Sequence, residues 1–136
     1  MGTVHAEITL KNTGDITDVR RGYIKETEIR QTTVQAVVDT GAITLVINEQ
    51  LRRQLGLEIV GASVATLANN AKETVKIAEA VEVHWKNRYM TCQPFVVGSG
   101  TILLGVIPLE HMDLIVDPKK QELVGAHGDE AISFLL

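Results

Sequence analysis

The residues best placed to do chemistry are Val37-Val38-Asp39-Thr40-Gly41-Ala42, where an apolar run delivers one carboxylate into a tight Thr-Gly turn and a second apolar run follows at once. A carboxylate at the end of a buried strand is costly to ionise unless donors satisfy it, and Gly41 lets the backbone turn back without a Cβ clash. Held in this way, an acid can take or give a proton. Asp and Gly are also ordinary turn formers, so the tripeptide alone leaves both readings open. The other chemistry-bearing residues are scattered. His5, His84, His111 and His127 share no metal-ligand spacing, and Ser99 sits between two glycines without the flanks of a nucleophile elbow. Cys92, the single cysteine, lies in an apolar stretch as a buried free thiol would. No metal and no cofactor is expected.

The elements that must position Asp39 read as strands on either side of it. Val34 to Val38 leads in, and the β-branched run Ile43 to Ile47 leads out. Asn48 then caps a short helix over Glu49 to Leu55, with Leu51 and Leu55 stacked at i,i+4 and Gly56 as its stop. Upstream, Val4 to Leu10 alternates as a strand and Lys11 to Asp15 supplies a turn. Ile16 to Thr33 is polar and irregular, with strand fragments at Gly22-Tyr23-Ile24 and Glu28-Ile29-Arg30. Downstream, strands at Ser63 to Ala68, Glu73 to Ala78, Ala80 to Trp85 and Tyr89 to Val97 make two hairpins, the first small and polar enough to be exposed. Ile102-Leu103-Leu104-Gly105 is a short apolar strand, Pro108 begins a helical turn, and Leu114 to Val116 and Glu122 to Val124 flank the turn Asp117 to Lys120. The tail Ile132 to Leu136 is apolar and is expected to be buried, against a second copy if not within its own chain.

At 136 residues and 45% hydrophobic content, the chain is long enough for one well-cored domain, taken here as residues 1–136. A net charge of −4, with no basic cluster longer than Arg20-Arg21, Arg52-Arg53 or Lys119-Lys120, argues against a nucleic-acid partner. Nowhere do about 18 apolar residues run together as a membrane helix requires. The opening residues lack a basic stretch followed by an apolar one, and with a lone cysteine the expected setting is a reducing cytoplasm.

The order of the Asp-Thr-Gly motif, a small hairpin, and Ile102-Leu103-Leu104-Gly105 with its helical turn resembles the retropepsin-like aspartic proteases, closest to the single-domain bacterial type, over roughly Val34 to Leu123. The resemblance implies a mainly β fold, a closed acid-protease barrel with one or two short helices, assembled as a homodimer. It implies that Asp39, Thr40 and Gly41 are catalytic: Asp39 as the acid, Thr40 bonding across the dimer axis, Gly41 exposing its N–H near the carboxylate. It makes Ser63 to Ala78 a flap over a peptide substrate, with its tip at Asn69-Asn70-Ala71-Lys72, and Ala42, Ala68, Asn69, Asn70 and Ala71 substrate-binding residues. Leu103, Leu104 and Gly105 match the strand that crosses behind the catalytic loop. The flap tip has no glycine, and Gly105-Val106-Ile107-Pro108 lacks the Arg of retroviral enzymes. Because the mechanism needs two carboxylates and one Asp-Thr-Gly is present, two chains must supply one site. The implied activity is peptide-bond hydrolysis. A dimeric binding or assembly module on the same fold is the alternative. Two-domain sugar kinases and phosphoaspartate enzymes fit less well, the former being far larger and the latter wanting an acid where Gly41 stands.

Overall fold

In the strands nearest the core, buried residues alternate with more exposed ones, and this period-two pattern sets the architecture. A computed structural model describes residues 2–66 and 69–132. In β1 (His5–Asn12), Ala6, Ile8 and Leu10 point inward; in β6 (Val81–Trp85), Val81, Val83 and Trp85 do so. Nine strands form one sheet that curls into a half-barrel, in the order β4-β5-β8-β3-β9-β2-β1-β6-β7. The others are β2 (Gln31–Val38), β3 (Leu45–Asn48), β4 (Ile59–Thr66), β5 (Lys72–Ala78), β7 (Arg88–Cys92), β8 (Phe95–Val97) and β9 (Leu103–Leu104). A separate antiparallel pair, β10 (Leu114–Asp117) and β11 (Glu122–Gly125), closes one end. The core gathers Leu45 and Ile47 of β3, Leu104 of β9 and Leu51, Leu55 and Leu57 around α2 (Glu49–Gln54) with the inward residues of β1 and β6. Burying each such side chain is worth roughly 1.5–3 kcal/mol.

Most expected elements are present, with instructive differences. Lys11 to Asp15 is not a turn: β1 runs to Asn12, and α1 (Thr13–Arg20) begins there, capped by the Asn12 carboxamide accepting from the Asp15 N–H at 3.0 Å. Asparagine serves turns and N-caps alike, and Gly14 weakens the helical reading. The strand fragments expected over 22–24 and 28–30 are absent; a 3-10 turn, Glu26–Glu28, stands between them, and Arg30 instead forks onto Asp15 at 2.8 and 2.9 Å. Three short α-helices are therefore found among the described residues, where one or two were expected. The long strand expected over 89–97 breaks in two at buried Pro94, which has no N–H to give a ladder. Pro108 is the third residue, not the first, of α3 (Val106–His111), still within the turn whose N–H groups have no helical partner.

Candidate active site

Asp39 stands where β2 ends. Parallel β9 pairs Val37 with Leu103 and Val38 with Leu104, while antiparallel β3 pairs Leu45 with Leu104 and Val46 with Leu103. β9 thus lies between the two strands that the Asp39 loop connects, and the loop is straddled from behind. The Asp39 N–H donates to the Leu104 carbonyl at 3.0 Å, and one residue earlier the Val38 N–H donates to Val4 at 2.9 Å. Within the loop, the Gly41 N–H donates to Asp39 Oδ1 at 2.8 Å and the Ala42 N–H to the Asp39 carbonyl at 3.1 Å. The carboxylate is half-buried, fixed by a backbone donor and still open to solvent on one side. Thr40 and Gly41 are exposed, and Ala42 is half-buried beside them. A side chain at Gly41 would come to 3.1 Å from Asp39 Oδ1 and crowd the oxygen its N–H serves.

Gly105 closes the loop from the other side. A Cβ there would lie 2.4 Å from the Thr44 carbonyl and 2.5 Å from that of Ala42, so only glycine permits this approach. The approach has a use. α3 has no side-chain cap at Gly105; its first N–H groups donate instead to the Asp39 loop, Val106 to the Ala42 carbonyl at 2.9 Å and Ile107 to the Ile43 carbonyl at 3.0 Å. For this reason the exit strand starts at Leu45 and not at Ile43, which is left 60% exposed with its carbonyl already spent on the helix. Sequence reading missed this capping role; the signal was a helix start after Gly105 with no Ser, Thr, Asp or Asn to cap it.

Below the loop, buried Thr44 bonds the Cys92 thiol, and burial pushes that thiol up to about 11, so Cys92 is a packing group and not a nucleophile. His84 pairs with Glu82 at 2.6 Å and His127 with Asp113 at 2.7 Å, both away from the Asp39 loop in the chain's hydrogen bonding. Among the described residues no three His, Cys, Asp or Glu side chains gather as a metal site would need.

The hairpin expected over Ser63 to Ala78 is present as β4 and β5, paired from Ile59↔Ala78 to Thr66↔Lys72 with a bulge near Gly61, and exposed along most of β4. Asn69, Asn70 and Ala71 form its exposed tip; Ala68 lies outside the described residues. Asn70 takes φ +65° without glycine's help. The structure brings Asp39, Thr40, Gly41, Ala42 and Gly105 into one loop cluster and sets the tip residues on a separate hairpin.

These features can be set beside known proteins. No curated protein matches the chain. Among solved structures, the retroviral protease-like domain of Ddi1 from Leishmania major superposes with a TM-score of 0.58 at 16% identity, over 91% of this chain and 88% of that one. A retropepsin-like aspartic protease from Rickettsia conorii gives 0.46 at 16% identity, over 86% and 89%. Identity this low speaks for the fold alone. The sequence itself matches, over residues 25–111, the family model described as "gag-polyprotein putative aspartyl protease". That span is more than half of the chain and contains both the Asp39 loop and Gly105, so the chain belongs to this family of retropepsin-like aspartic proteases.

Proposed function

We propose that the protein is an aspartic endopeptidase in which two Asp39 carboxylates, one from each subunit of a homodimer, activate a water against a peptide bond. The observation that carries this reading is the Asp39 loop itself: a carboxylate held by the Gly41 N–H at 2.8 Å on a stem braced by β9 and α3, with one face open. A catalytic group must be kept within a fraction of an ångström of its working position, and backbone-to-backbone bracing does this more firmly than side-chain contacts do.

With one such loop per chain, a two-fold axis between two copies supplies the second carboxylate. The pair shares one proton. The ionised member takes a proton from water as its oxygen attacks the scissile carbonyl carbon; the protonated member gives its proton to the carbonyl oxygen. Collapse of the tetrahedral intermediate returns that proton to its carboxylate, breaks the C–N bond and passes the other to the leaving amine. Thr40, exposed next to Asp39, meets its counterpart at the axis, and the β4–β5 hairpin covers the peptide.

The test is a mixed peptide library incubated with wild type and with Asp39→Asn, products being read by mass spectrometry. Cleavage by wild type and none by the mutant is the expected result, with the mutant folded and dimeric because the carboxamide keeps the acceptor for Gly41. Equal cleavage by both sinks the proposal. Absence of cleavage by both, with any partner binding unchanged by the mutation, points to the assembly module instead.

A further inference from the structure

The β4–β5 hairpin turns without a glycine, and an asparagine pair takes its place. The last strand pair is Thr66↔Lys72, and Asn69, Asn70 and Ala71 lie in the tip beyond it. Within it Asn70 sits in the left-handed region at φ +65°, where most L residues bring Cβ against the following carbonyl oxygen. Asparagine is the side chain that enters this region most readily after glycine. The residue before it completes the device: Asn69 Oδ1 accepts from the Ala71 N–H at 3.0 Å, closing a ring across Asn70. One asparagine adopts the left-handed turn, and its neighbour locks it.

A glycine tip swivels, because glycine populates both signs of φ with little preference. An asparagine pair tied by a side-chain bond does not. The Ala71 N–H is also consumed inside the turn, so it is not a donor to anything lying below the hairpin. We infer that Asn69 is a positioning residue for the hairpin that covers the cleft, a statement that rests on the protease reading: its carboxamide holds the tip in one conformation before substrate arrives. Ordering done in advance lowers the cost of closing over a peptide, and it does so equally for bound substrate and transition state. The effect therefore belongs in KM and not in kcat.

Two measurements on wild type, Asn69→Ala, Asn69→Asp and Asn70→Gly test this. The first, hydrogen exchange at the Ala71 amide by NMR, needs no substrate; the second takes KM and kcat on a peptide that wild type cleaves. Asn69→Ala is expected to speed Ala71 exchange and to raise KM about two- to tenfold, the loss of one hydrogen bond, with kcat unchanged. Asn69→Asp keeps the acceptor oxygen and restores both. Asn70→Gly accepts the same φ but gives the tip back its swivel, and is expected to shift Ala71 exchange and KM in the same direction as Asn69→Ala. Unchanged Ala71 exchange in Asn69→Ala overturns the turn device, and faster exchange with an unchanged KM overturns its positioning role. If wild type cleaves no peptide, the protease reading fails together with the positioning role, while the exchange data still decide whether Asn69 locks the turn.

Discussion

At the scale of single residues, the site depends on two glycines more than on any polar network. Gly41 lends its N–H to Asp39, and Gly105 lets α3 reach the carbonyls of Ala42 and Ile43. Gly105→Ala would place a methyl group 2.4 Å from the Thr44 carbonyl and 2.5 Å from that of Ala42, distances that only backbone movement can relieve. Part of the displaced backbone belongs to the Asp39 loop. The expected outcome is a loss of about 1–3 kcal/mol in urea unfolding, as for other overpacked positions, and a fall in cleavage rate larger than that stability loss accounts for. The matching control is Gly98→Ala, where nothing lies within 4 Å of the new Cβ and neither quantity should move. A Gly105→Ala protein with wild-type stability and rate would mean that α3 does not brace the loop.

At the scale of elements, the α3–β10 corner is tied to the C-terminal stretch by a polar clasp. Arg88, 4% exposed, donates from Nη1 to the carbonyls of Met112 at 2.9 Å and Asp113 at 2.7 Å and from Nη2 to Gly128 at 2.5 Å. It satisfies the carbonyl of Met112, the C-cap of α3, and that of Asp113 just beyond it, and its charge suits the negative end of that helix. Arg88→Met keeps the stem but leaves these acceptors without their charged donor, and is expected to cost about 2–5 kcal/mol in denaturant unfolding. The Asp113 carboxylate accepts from His127 at 2.7 Å and from the Ile132 N–H at 3.1 Å. The His127 hydrogen bond above all, then the Ile132 N–H and the nearby charges of His127 and Arg88, holds the Asp113 carboxyl below the usual carboxylate range against the opposing effect of burial. A carboxyl lowered in the folded state stabilises above its unfolded value and loses that contribution as pH falls through its folded value. Wild type should therefore be more stable than Asp113→Asn at neutral pH, with the gap closing in acid; a gap independent of pH would remove the ionic part of the clasp. Lys86-Asn87-Arg88 reads in the sequence as a polar turn, whereas the chain turns at Lys86 and Asn87 and β7 already begins at Arg88. The alternation Arg88, Met90, Cys92 against exposed Tyr89 and Thr91 was the available sign that it faces inward. The helix Asn48 caps was legible because its cap, its i,i+4 leucines and its Gly56 stop agree. α1 was not legible, because Asn12 and Gly14 speak equally for a turn and no apolar stripe outvotes them. The Asp39 loop was readable as a motif, whereas its bracing was not, since carbonyls that cap a helix some sixty residues away leave no trace in side-chain types.

At the scale of the whole molecule, the proposed assembly and the proposed chemistry make one testable statement about protons. Two carboxylates brought together at a two-fold axis cannot both stay ionised without strong repulsion, so the proposed dimer favours the state in which the pair holds one shared proton. Association is then coupled to proton uptake. Because the dimer binds more protons than two monomers do, its dissociation constant must rise with pH across the range where the shared proton is lost. Asp39→Asn removes the repulsion and the proton together; the carboxamide keeps the acceptor for the Gly41 N–H, so the loop itself should be unchanged. The mutant dimer is expected to be tighter than wild type at neutral pH, about tenfold for each 1.4 kcal/mol of relieved repulsion, and nearly flat with pH. The Asp113 carboxyl, held below the usual carboxylate range, loses its charge only in acid, so its titration does not overlap this window. Sedimentation equilibrium of both proteins from mildly acidic to alkaline pH separates the cases. A wild-type dissociation constant that rises with pH beside a flat, tighter mutant places the two carboxylates together. Identical, pH-independent constants for the two proteins would mean that the aspartates never meet, and a one-carboxylate loop could not hydrolyse a peptide bond by the route proposed.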